Sequence, residues 1–159
     1  LGELLKDQRV KNRGISGDRI SGVIRRLGPV IREQPRKIVI EIGTNDLGGR
    51  AEPSHVLKNY RLLIDTLRKT CPDTKLYIQS IFPVRSLEDS RERNAAINEV
   101  NSGLRDYCRQ VNITYIDMHT AFVSNGELKS EYTFDGIHFS GEGYMLWAKL
   151  LVPHVKDSL

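Results

Sequence analysis

Short runs of β-forming residues alternate with longer stretches of helical period along the chain, and this alternation limits the fold more than any other feature. "RVKN" at 9–12, "KIVIEI" at 37–42, "KLYIQSI" at 75–81 and "ITYIDM" at 113–118 are each too short for a helix and draw on Ile, Val or Tyr. They are read as strands. Between them, Ile20, Val23, Ile24, Leu27 and Ile31 recur at three- and four-residue steps, as do Tyr60, Leu63, Ile64 and Leu67. Ile97, Val100, Leu104 and Tyr107 repeat the pattern, and Tyr144, Leu146, Trp147, Leu150 and Leu151 form a last stripe. Four amphipathic helices are expected. Gly28-Pro29 should kink or shorten the first, and Cys71-Pro72-Asp73 should end the second.

Strand and helix in alternation imply parallel strands joined by right-handed crossovers, with helices on both faces of the sheet. The fold class is therefore α/β, a three-layer α/β/α sandwich. With 159 residues, 39% of them apolar, and no internal repeat, low-complexity tract or linker, a single domain over 1–159 is expected. The longest apolar runs are far too short to span a bilayer, and Glu41 interrupts the run at 38–42. A net charge of +4 scattered along the chain argues against a nucleic-acid footprint. Cys71 and Cys108 lack the spacing of a zinc site or a disulfide framework. The chain begins at Leu1 without a basic-then-apolar leader, so either a signal has been removed or the sequence starts part-way through a longer one.

Open parallel sheets place ligands beyond the carboxyl ends of their strands. After the first run comes "NRGISGDRISG" at 12–22, where Gly14 and Gly17 allow a tight turn and Asp18 or Ser16 can cap the following helix. Backbone N–H groups at such a helix start can bind an anion or oxyanion, although a strand-to-helix turn that merely needs glycine reads the same. The spacing is not that of a dinucleotide or P-loop site. After the second run comes "GTNDLGG" at 43–49. It reads as a loop, in which the Asn45 amide offers two donors to a developing oxyanion and Asp46 caps or braces the backbone. "IFPVRS" follows the third run, and Arg85 could line a substrate pocket or sit in a solvated loop. Finally, "TFDGIHFSGEGY" at 133–144 sets Asp135 three residues before His138 at the start of the last helix. A carboxylate that fixes the tautomer of a histidine general base is the pairing that activates a serine hydroxyl.

These segments resemble, in order, the blocks of the SGNH hydrolases, the GDSL-type lipases and esterases. Gly17 in "GISGD" is similar to the glycine block, Asn45 in "GTND" to the asparagine block, and Asp135 with His138 to the Asp-x-x-His block. The resemblance implies a flavodoxin-like sheet and ester hydrolysis by a serine nucleophile. His138 would move the proton, Asp135 would orient the ring, and Gly17 and Asn45 would hold the oxyanion. No metal or organic cofactor is implied. "NRGISGD", "GTNDL", "YIDMHTAF" and "DGIHFSGEGYMLWAKLL" look nearest to carbohydrate or sialate acetylesterases and platelet-activating-factor acetylhydrolases. This suggests a small acyl group, such as acetyl, on a sugar or similar small ester, with Asp46 and Arg85 near the pocket. By the same analogy the protein would be exported, with any signal outside the 159 residues.

The chain departs from the family in one respect. The Gly-Asp-Ser block that carries the nucleophile should precede Gly17, and residues 1–13 contain no serine. Ser16 and Ser21 flank the oxyanion turn, Ser80 lies in or just past a strand, and Ser140 is better placed as a helix cap. The expectation is an N-terminally incomplete domain whose central strand and nucleophile lie outside these residues, and the 159 residues alone should be inactive. The rival expectation is a non-catalytic binding module on the same fold.

Overall fold

The computed structural model describes residues 5, 7 and 9–155. Three parallel strands form the sheet in the order β1 (Lys37–Ile40), β2 (Lys75–Gln79) and β3 (Thr114–Ile116). Lys37 is in register with Lys75 and Ile40 with Ile78, while Tyr77 pairs with Thr114 and Gln79 with Ile116. The strands are shorter than the apolar runs suggest, because the residues after each one turn into the loops at the carboxyl edge.

Alternate side chains of the strands enter two separate cores, as the period of two dictates. Ile38, Ile40, Leu76 and Ile78 pack with α1 (Ile20–Arg25), α2 (Leu27–Glu33), α4 (Pro53–Thr70) and α5 (Ser90–Gln110). Val39, Tyr77 and Ile116 pack on the opposite face with Met118, Phe122, Phe139 and α7 (Gly141–Val155). Trp147 Nε1 donates to Gln79 Oε1 at 2.6 Å and so ties α7 to the middle strand. The three-layer α/β/α arrangement is the one expected.

The first apolar stripe forms two helices, and the break falls at Arg26, before Gly28-Pro29. The ring of Pro29 excludes a helical carbonyl four residues back, at Arg25, so the chain leaves the helix there and Pro29 occupies the first turn of α2. Two short helices were not foreseen: α3 (Thr44–Gly48), where a loop was expected, and α6 (His119–Phe122). They are followed by a two-stranded hairpin of β4 (Val123–Ser124) and β5 (Glu127–Leu128) and a 3-10 turn at Ser130–Tyr132. Gly43 permits α3: its φ of 117° turns the chain directly off β1, and a Cβ there would lie 2.6 Å from Ile81 Cδ1.

The strand expected at 9–12 is absent. Val10 is the single apolar residue of that run, too little for a buried ladder. Val10 N closes a turn onto Asp7 O at 3.1 Å, and Lys11 and Arg13 reach across to Glu33 of α2 instead.

Candidate active site

The asparagine block forms the first turn of α3 and is linked to the glycine block by two consecutive residues. Asn45 Nδ2 donates to Asp18 O at 3.0 Å, and Asp46 Oδ2 accepts from Ile20 N at 3.2 Å, the first residue of α1. The cap of α1 therefore comes from Asp46, 26 positions away in sequence, and not from Asp18 or Ser16. Asp18 is otherwise engaged: its carboxylate accepts from Arg26 Nε at 2.8 Å and from Arg19 N at 2.9 Å. The Arg26 guanidinium holds its pKa below the ordinary carboxylate value.

Asp46 is only 6% exposed, which places it beneath the loop as a brace. Burial raises its pKa, opposed by the Ile20 N–H and the charge of Arg19. Asn45 itself is exposed, with one amide hydrogen left for a ligand. Gly17 is exposed with φ 75°, and its N–H donates to no group among the described residues.

The second half of the site is the loop at 133–139. Asp135 Oδ2 and His138 Nδ1 lie 2.6 Å apart, while Asp135 Oδ1 accepts from His138 N at 2.7 Å and Ile137 N at 2.9 Å. The His138 side-chain bond, then the two backbone N–H groups, bring the Asp135 pKa down to about 2. A carboxylate ionised at neutral pH only accepts, so the proton sits on Nδ1 and the Nε2 lone pair points outward as a base. Nε2 makes no hydrogen bond among the described residues.

Thr133 closes this loop by donating from Oγ1 to His138 O at 2.7 Å and accepting from Gly136 N at 2.9 Å. Ser140 caps α7 through Gly143 N at 3.2 Å, as its place before the stripe suggested. Gly136, at φ 90°, is needed because a Cβ there would collide with Arg85 O.

Arg85 links the segment after β2 to the 133–139 loop and the β4–β5 hairpin. Its N–H donates to Gly136 O at 2.9 Å, and its guanidinium donates from Nη1 to Leu128 O at 3.0 Å in the β4–β5 hairpin. The side chain is thus spent on the hairpin. The segment before it is gripped by two buried amides of α5. Asn101 bonds Ile81 N and O at 2.8 and 2.9 Å, and Asn94 bonds Val84 N and O at 2.9 and 2.8 Å. Sequence reasoning passed over Thr133, Asn94 and Asn101. The two asparagines lie seven apart on the apolar face of α5, a position where a polar residue needs a partner.

Parallel topology sets the asparagine block after β1 and the Arg85–Gly136 junction after the adjacent β2, so both halves stand at one end of the sheet. Among the described residues no serine hydroxyl is bonded to His138, and no group of three or more His, Cys, Asp or Glu side chains converges to hold a metal.

The Asp135–His138 pair, the exposed Gly17 N–H and the exposed Asn45 amide all stand toward the carboxyl end of the parallel sheet. The chain belongs to the GDSL-like Lipase/Acylhydrolase family, whose model matches residues 1–146. It is 26% identical over 155 residues to the platelet-activating factor acetylhydrolase IB subunit alpha2 of Gallus gallus, covering 95% of this chain but 65% of that protein. It thus spans less than two thirds of that relative's length. The N-acylneuraminate cytidylyltransferase of Escherichia coli O18:K1:H7 (strain RS218 / NMEC) is 33% identical over 97 residues, 57% of this chain and 22% of that protein. The solved structure of a GDSL-like lipase from Bacteroides thetaiotaomicron VPI-5482 superposes with a TM-score of 0.81 at 25% identity, over 94% of this chain and 76% of that one. An acetyl xylan esterase shares the fold at a TM-score of 0.77 and 21% identity, over 90% of this chain and 79% of that one.

Proposed function

We propose that this protein is a serine-type ester hydrolase that removes a small acyl group, such as acetyl, from a carbohydrate or similar ester. The observation that carries the reading is the 2.6 Å contact of His138 Nδ1 with an ionised Asp135, which leaves Nε2 free as a base. In this reaction His138 Nε2 accepts the proton of a serine hydroxyl as the oxygen attacks the ester carbonyl. It then gives that proton to the leaving alcohol as the acyl–oxygen bond breaks. Water, deprotonated in turn by His138, releases the acid and restores the serine. The Gly17 N–H and the Asn45 amide stabilise the charge on the carbonyl oxygen. Asp46 and Arg85 hold these groups in place without touching the substrate.

The serine is supplied by a part of the protein outside residues 1–159. The preference for acetyl on a sugar is supported by the similarity to a platelet-activating factor acetylhydrolase subunit and by the fold shared with an acetyl xylan esterase. A second reading, a binding module that holds an ester without cleaving it, is favoured by the lack of any described serine on His138.

Turnover of p-nitrophenyl acetate by the protein as its gene encodes it separates the two. Hydrolysis that is lost in His138→Ala, with the circular dichroism spectrum unchanged, supports the esterase. No hydrolysis above that variant in the unsubstituted protein supports the binding module. Asn45→Ala should lower turnover by roughly 10²–10³, the usual cost of one oxyanion donor.

A further inference from the structure

The most exposed large apolar side chain among the described residues is Phe134, at 74%. It directly precedes Asp135, and its ring lies nearly parallel to the His138 imidazole, with 16° between planes and 6.0 Å between centroids. Near-parallel rings at that separation are offset, so the two form a stepped flat surface with much of the phenyl ring facing water. The loop does not use Phe134 as an anchor. Ile137 packs on one core and Phe139 is buried in the other, and Thr133 closes the backbone beneath. Phe134 stands on the crest, beside the base.

We propose that Phe134 is a platform for the alcohol portion of the substrate, a pyranose ring that lays its C–H face on the phenyl beside His138. The inference rests on the esterase reading and deepens it. His138 Nε2 protonates the leaving oxygen, so the atoms next to the imidazole belong to the alcohol, while the acyl group lies toward Gly17 and Asn45. An aromatic face carries negative charge density and attracts the partly positive C–H bonds of a sugar. The site is open, which suits a ligand whose hydroxyls remain in water. A long alkyl alcohol on the same surface would leave half of its apolar area exposed and gain little.

The test is binding of unacetylated methyl glycosides of xylose, glucose, galactose and N-acetylneuraminic acid, followed by ligand-observed NMR. The proteins are the unsubstituted one, Phe134→Ala and Phe134→Trp. An exposed side chain makes all three competent to fold. Saturable binding of at least one glycoside, weakened tenfold or more in Phe134→Ala and kept in Phe134→Trp, is the expected result. Absence of binding to the unsubstituted protein, or equal binding by Phe134→Ala, overturns the platform. A ring that served only to steady the imidazole would leave binding unmoved and so falls in the second outcome.

Ethyl acetate, whose alcohol is too small to reach the platform, tests the esterase reading separately in the unsubstituted protein. Hydrolysis without glycoside binding overturns the platform alone. Phe134-dependent binding without hydrolysis overturns the esterase reading, and with it the platform's role toward a leaving alcohol, and leaves a sugar-binding face on a non-catalytic module.

Discussion

Asp135 shows how much one side chain can decide. Three bonds converge on its two oxygens, one from the imidazole and two from backbone N–H groups, and they fix both its charge and the His138 tautomer. Asp135→Asn keeps the shape but can donate to Nδ1, which favours the wrong tautomer; turnover should fall by about 10⁴ with little change in melting temperature. Because the folded pKa lies near 2, below the unfolded value, the stabilising effect of this ionised group is present above the ordinary carboxylate range. It is lost as pH falls toward 2. Glu41 has the opposite sign. It follows β1, its Oε1 is enclosed with no partner among the described residues, and burial raises its pKa to about 7. A raised folded pKa contributes stability below the unfolded value, and that contribution is lost as pH rises through 7. Glu41→Gln should therefore stabilise the protein at pH 8, on the order of 1–3 kcal/mol, and flatten the melting temperature between pH 4.5 and 7. A melting curve with the same pH slope in both proteins would contradict this. The Asp-x-x-His spacing was legible because it is local. Thr133 was not, since its two bonds depend on a loop closure that no pattern of spacing records.

At the level of elements, the site rests on loops held by side chains from distant helices. Asn94 and Asn101 of α5 act as substitute strand neighbours for the Ile81–Val84 segment that leads to Arg85 and Gly136. Asn101→Ala leaves a buried N–H and a buried C=O of Ile81 unpaired, so it should cost roughly 1–3 kcal/mol in denaturant unfolding. Asn101→Asp should recover only the acceptor half. Asp46 plays the same part for α1, and Asp46→Ala should lower stability by about 1–2 kcal/mol, the range for a lost helix cap. The same variant should also lower turnover, because Asn45 and the Gly17 turn share that junction. The sequence shows turn formers in both blocks, but capping rules look a few residues away, and the donor–acceptor pair here is 26 positions apart. The stop at Cys71 and the Ser140 cap were legible for the converse reason: each is decided by neighbours within one turn.

The whole molecule follows from a single periodicity argument. Strands that alternate faces and helices with one apolar stripe leave a layered sheet as the arrangement that buries both cores, and the structure has two such cores on opposite faces. Where the pattern was thin, at 9–12, tertiary pairing did not form and the charges turned to Glu33. The fold was thus readable where apolar residues were dense. The candidate site was legible as three local blocks, but not in the asparagines, the threonine and the cap that hold the neighbouring loops in shape. The central claim, that His138 serves a serine nucleophile, is tested most directly by incubating the protein as its gene encodes it with a serine-reactive organophosphate and measuring intact mass. One covalent adduct per chain is expected, mapped by peptide analysis to a serine outside residues 1–159 and absent from His138→Ala. No adduct, or one that forms equally well without His138, would contradict it.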